Sequence, residues 1–64
     1  MAEKATREVL IEILIVGLHA KVSAIDSATG TEVSITGPAS APRAALKAAA
    51  VKRLEFVLKR KGGG

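Results

Sequence analysis

Glu8, Glu12 and His19 are side chains of this 64-residue chain that could in principle serve acid–base chemistry. A carboxylate and an imidazole held together can pass a proton to and from a substrate. That task needs a nucleophile beside them and a pocket that shifts their pKa values. In the strand register derived below, Glu12 and His19 share a sheet face but stand several residues apart, with no nucleophile at hand. A flat sheet surface offers little burial, so these groups read as solvated. The chain is expected to be a non-enzyme with no catalytic residues. Its composition also argues against metal and cofactor chemistry. It has no cysteine and one histidine, which removes thiolate catalysis, disulfides and zinc-finger sites. Gly30 and Gly37 are not spaced as a phosphate-cradling loop that opens a helix. A lone anion near Ser40 is something almost any helix start offers. No cofactor-binding or metal-binding residue is assigned.

The elements that position these groups follow from two short loops. Gly17-Leu18 separates the apolar run Val9–Val16 from the run His19–Ile25. Glycine in first place suits a two-residue type II′ hairpin. That turn pairs Val16 with His19, Ile15 with Ala20, Leu14 with Lys21, Ile13 with Val22, Glu12 with Ser23, Ile11 with Ala24 and Leu10 with Ile25. The second loop, Ser27-Ala28-Thr29-Gly30, ends on a glycine where a positive φ is commonly required. It pairs Ile25 with Glu32, Ala24 with Val33, Ser23 with Ser34 and Val22 with Ile35. One face then carries Val9, Ile11, Ile13, Ile15, Ala20, Val22, Ala24, Val33 and Ile35, all apolar. A slip of one residue in either hairpin would spoil that pattern.

Gly37-Pro38 reads as the end of the third strand, and Ser40 as a helix N-cap. An alanine-rich helix is expected over residues 40–61, stopped by Gly62. At about 100° per residue, Leu46, Ala50, Val51, Leu54, Val57 and Leu58 form one stripe, which should lie on the apolar sheet face. Phe56 falls outside it, either capping the edge of the core or meeting a partner. The expected fold class is α+β, a single βββα domain. Its three-stranded antiparallel meander (residues 7–36) is covered on one side by a C-terminal α-helix. A polar leader (1–6) and a flexible tail (62–64) flank it.

The opposite sheet face is less polar than a solvated face should be. Leu10, Leu14, Val16 and Ile25 cluster there, and such patches mark contact sites. The first strand is also an edge with no proline and one charge, so it lacks the usual protection against pairing. So short a chain buries only about 60% of its unfolded surface and generally needs a staple. With disulfides and metals removed, that staple is self-association. A homodimer through Leu10, Leu14, Val16 and Ile25 is the leading expectation, as a small assembly or adaptor module with a possible protein partner.

Charge supplies the alternative. The net charge of +4 divides into −2 over residues 1–42 and +6 over residues 43–64. Lys52, Arg53, Lys59, Arg60 and Lys61 could contact phosphates, with steeply salt-dependent binding. Three antiparallel strands before a basic, alanine-rich helix resemble the C-terminal part of a double-stranded-RNA-binding domain. Gly37-Pro38-Ala39-Ser40, followed by Ala44, Ala48, Ala49 and Leu54, echoes that family's helix start. Its lysine cluster, however, would fall near Ala41 and Pro42, which are not basic. No stretch reaches the roughly 20 apolar residues of a membrane span. Lys4 and Arg7 before the run Val9–Leu18 faintly suggest a signal peptide, but Glu12 interrupts that run. The expected setting is the cytoplasm, with no membrane partner.

The runs Lys21-Val22-Ser23-Ala24-Ile25-Asp26, Thr29-Gly30-Thr31-Glu32-Val33-Ser34-Ile35, Gly37-Pro38-Ala39 and Lys52-Arg53-Leu54-Glu55-Phe56-Val57-Leu58 resemble a family of very short, uncharacterised alphaproteobacterial proteins. The likeness covers most of residues 7–61. In that family proline is expected where Ser27 stands, and often tyrosine where Phe56 stands. The resemblance implies a bacterial, cytoplasmic protein of unknown function and no catalytic residues.

Overall fold

A computed structural model describes residues 8–62 of the chain, with side chains for residues 8–60. The expected leader, residues 63–64 of the tail and the side chain of Lys61 lie outside the described residues. Strands β1 (Val9–Val16), β2 (His19–Asp26) and β3 (Glu32–Pro38) form one antiparallel sheet in the order β1-β2-β3, followed by helix α1 (Arg43–Gly62). This is the α+β, βββα architecture read from the sequence.

Both loops work through their glycines. Gly17 has φ 60° and Gly30 has φ 76°, and no other described residue type adopts a positive φ. These are backbone conformations that a Cβ resists. The registers that result match the sequence pairing throughout, from Val16↔His19 to Leu10↔Ile25 and from Ile25↔Glu32 to Val22↔Ile35. The second loop is further secured by Asp26, which is fully buried. Its Oδ2 accepts bonds from the Thr29 backbone N (3.2 Å) and hydroxyl (2.8 Å). With that hydroxyl proton engaged, the contact of 2.8 Å between the Thr29 and Thr31 hydroxyls is donated by Thr31. Gly30 N closes the loop on the Asp26 carbonyl at 2.7 Å.

Three element boundaries differ from the sequence reading, the smallest being that α1 takes in Gly62, the expected stop. Strand β3 does not end before Gly37-Pro38 but runs through them, pairing Ala20↔Gly37 and His19↔Pro38. The phase of the ladder explains why. Asp26 N donates to Thr31 O and Ala39 N to Leu18 O, so the odd-numbered residues of β3 bond β2. Pro38, at an even position, turns its missing N–H to the open edge and forfeits no ladder bond. The helix starts at Arg43, and Ser40 is not its cap. Ala41 N instead closes a turn on the Pro38 carbonyl, and the Pro42 carbonyl accepts the first helical bonds from Ala45 and Leu46 at 3.0 and 3.1 Å. Proline is suited to that place, since a helix leaves its first N–H groups unpaired anyway.

The core joins Ala20, Val22 and Ala24 of β2 to Leu46, Ala50 and Leu54 of α1. Alanines at the sheet centre let the helix settle close to the strand backbone. Gly37 extends this: a Cβ there would lie 2.9 Å from Leu46 Cδ2. The helix consequently rests on β2 and β3. Val9, Ile11 and Ile13 are only half-buried at its flank. Ile15, expected beneath the helix, is instead 48% exposed.

Candidate interaction surface

The surface of interest is β1, and its backbone comes first. Ser27 N donates to the Glu8 carbonyl at 3.0 Å, in register with the β1–β2 ladder. In an antiparallel pair, residues alternate between bonding their partner strand and facing away from it. Even-numbered residues of β1 therefore bond β2. Val9, Ile11, Ile13 and Ile15 direct their N–H and C=O groups to the open edge. Nothing among the described residues covers that edge, because β1 ends the strand order.

The side chains make the edge apolar on both sides. On the face away from the helix, Leu10 is 55%, Leu14 59% and Val16 62% exposed. Ile25 is half-buried and lies directly opposite Leu10. The structure thus brings the four sequence-assigned residues onto one face, with Glu12 between Leu10 and Leu14. On the helix side, Ile15 continues the apolar surface, and Leu18 is exposed at the hairpin tip. Sequence reasoning missed these last two. The alternation places Ile15 on the covered face and Leu18 in a loop; the apolar type of Leu18 at the tip of an apolar hairpin is the available signal. The rest of the outer face is polar. Ser23 is buried there, with its hydroxyl 3.2 Å from that of Ser34 across the strands. Glu12 and His19, the acid–base candidates, are both exposed. They stand opposite Ser23 and Val16, and so are not brought together.

On α1, Lys52, Arg53, Lys59 and Arg60 are all exposed. They do not form one row. Arg53 and Arg60 flank the half-exposed Phe56, their guanidinium carbons 5.9 and 5.6 Å from the ring centroid. This is cation–π distance. Phe56 accordingly lies outside the core, as part of a basic–aromatic cluster. Lys52 and Lys59, a heptad apart, follow a neighbouring stripe. A shallow concavity of about 480 Å³ reaches Lys52, lined by Ala44, Lys47, Ala48, Val51, Lys52 and Glu55. All its lining comes from one helix, so it has no opposing wall to enclose a small molecule. Among the described residues no helix is long and apolar enough to cross a membrane.

No curated protein and no solved structure matches the chain. A family model does, over residues 6–61, and this range spans the whole sheet and nearly all of α1. The chain belongs to the family described as Domain of unknown function (DUF6898).

Proposed function

We propose that the protein is a non-catalytic self-association module, a homodimer built on β1 and the outer sheet face, serving as an assembly or adaptor unit. The observation that carries this reading is the two-sided apolar exposure of an edge strand that no other described residue pairs on its outer side. Edge strands that function alone are usually short, charged or interrupted by proline, whereas β1 is eight residues long with no proline and one charge. The small core adds weight, since a domain of this size gains much by sharing surface with a second copy. The bacterial, cytoplasmic setting implied by the sequence resemblance belongs to the same reading.

Sedimentation of the full chain over a range of concentrations tests it. A reversible dimer is expected, and Leu14→Glu should weaken it. Burying a half-exposed leucine contributes about 1 kcal/mol per copy, so the pair of substitutions should raise Kd roughly 30-fold. Thr36→Glu, on the same face but at the far edge, should leave Kd unchanged. A monodisperse monomer at high micromolar concentration overturns the proposal.

The exposed Arg53–Phe56–Arg60 cluster favours a second reading, a nucleic-acid accessory protein using α1. The planar guanidinium groups held over the ring can stack on bases while their charges meet phosphates. Binding of labelled RNA that falls steeply between low and high salt would support it. Binding that is absent, or indifferent to salt, would count against it.

A further inference from the structure

We propose that two copies join β1 to β1 antiparallel, in a register centred on Ile13. They would form one six-stranded sheet with both helices on the same face. This rests on the self-association reading and sharpens it, naming the edge rather than the outer face as the contact.

The choice of edge over face follows from what each leaves uncovered. Stacking two outer faces would bury Leu10, Leu14, Val16 and Ile25. It would leave Ile15 exposed on the helix side and the edge backbone groups in water. Edge pairing gives β1 a strand on either side and sets Leu10, Leu14 and Val16 beside side chains of the second copy, while their outer surfaces stay open. The odd-numbered residues that direct N–H and C=O outward are also the ones whose side chains lie beside the helix. Joining the edges therefore bonds the backbone and merges Ile11, Ile13 and Ile15 of both copies into one apolar layer at the helix flanks.

The register follows from parity and charge. Side chains directly opposite in an antiparallel pair share a face, so odd residues meet odd and even meet even. Two registers give the longest overlap within Val9–Val16. One pairs Val9–Ile15 with itself and centres on Glu12; the other pairs Leu10–Val16 with itself and centres on Ile13. The first sets Glu12 against its own copy. That is a pair not bonded through the backbone, where side chains come closest, and like charges directly opposite destabilise a sheet. Its one additional ladder pair falls at the strand ends, where pairing frays.

The Ile13 register removes the clash. Ile13 meets Ile13, Ile11 meets Ile15, Leu10 meets Val16, and Glu12 meets Leu14. Leu14 stands opposite Lys21 in its own hairpin. Glu12 of one copy then lies two strands, about 10 Å, from Lys21 of the other. Two long side chains reaching over Leu14 can span this gap. Glu12, which already has Lys21 of its own hairpin as a diagonal neighbour, thus faces a cation of the second copy rather than a like charge.

Single-cysteine variants test this cleanly, because the chain has no cysteine of its own. Leu10→Cys, Leu14→Cys and Val16→Cys are all at exposed positions and keep Glu12, whose charge selects the register, and circular dichroism checks that each variant folds. Thr36→Cys serves as a collision control. The variants, one carrying a mass tag, are equilibrated in a glutathione buffer, singly and mixed. In the proposed register positions 10 and 16 are about 4.5 Å apart between copies, within disulfide span, whereas 10 to 14 is diagonal and beyond it. The mixture of Leu10→Cys with Val16→Cys should give roughly tenfold more covalent dimer than either alone or than the control. Efficient bridging of Leu10→Cys with Leu14→Cys overturns the register in favour of the Glu12 centre. A dimer by sedimentation with no preferred bridge overturns edge pairing and leaves self-association standing. A monomer by sedimentation overturns both.

Discussion

Leu54→Ala is expected to cost the domain about 3 kcal/mol, within the range for deleting a buried leucine. Leu54 is 1% exposed and is the largest of the fully buried side chains. Its surroundings leave little room for relaxation. Beneath it lie Ala20, Val22 and Ala24 on the central strand, small groups on a hydrogen-bonded sheet that cannot swell to fill a void. A chain of 64 residues has a total stability on the order of 3–10 kcal/mol, so this one change removes a large part of it. Urea denaturation at fixed protein concentration should show the midpoint fall with the slope unchanged. In a thermal scan, Tm should drop by at least roughly 12 °C. A loss under about 1 kcal/mol would mean that Leu54 does not key the helix to the sheet.

Gly37→Val is the second large effect, and it tests the closeness of helix and strand. A Cβ at this position meets Leu46 Cδ2 at 2.9 Å, and Leu46 is buried. Alanine asks only that the end of a leucine side chain turn aside. Its loss is offset by the lower entropy of the unfolded chain, so Gly37→Ala should come near neutral. Valine adds two methyl groups to the same contact and should destabilise by about 2 kcal/mol. Leu46→Ala in the Gly37→Val background should then cost less than in the parent. The coupling in this double-mutant cycle should be about 1 kcal/mol. Additive effects would show that the two residues do not touch.

The strand pairing was legible because a period of two is unforgiving. With Gly17 opening one loop and Gly30 closing the other, only one register placed Ile11, Ile13, Val22, Ala24, Val33 and Ile35 on one face. The lateral position of the helix was not legible. The sequence pattern treats Ile15 and Ala20 as equally apolar, but a helix settles over the shorter side chains, and Ala20 and Ala24 are on β2 rather than β1. That displacement is what exposes Ile15, and it enlarges the candidate surface beyond Leu10, Leu14, Val16 and Ile25. Pro38 escaped because its acceptability depends on which way an absent N–H points, a matter of ladder phase rather than residue type. Asp26 reads in the sequence as one more charge at a turn; its burial is set by the loop folding back through Thr29 and Thr31. Phe56 was ambiguous because a roll of the helix of a few tens of degrees moves it between core and solvent. The flanking Arg53 and Arg60 mark the side on which it lies.

The presence of Pro38 inside β3 also bears on how far assembly can proceed. A sheet that adds copies at both edges grows without end, while one that adds at a single edge through a two-fold axis closes at two. Joining β1 to β1 consumes both open, apolar edges and leaves the two β3 strands outermost. Along each of these, the backbone groups aimed outward belong to Glu32, Ser34, Thr36 and Pro38, a charged residue at one end and at the other a position with no hydrogen to offer. Such a border discourages a further strand. On the proposed pairing, one edge of this small sheet would take a copy of itself and the other would turn copies away, so assembly would stop at two.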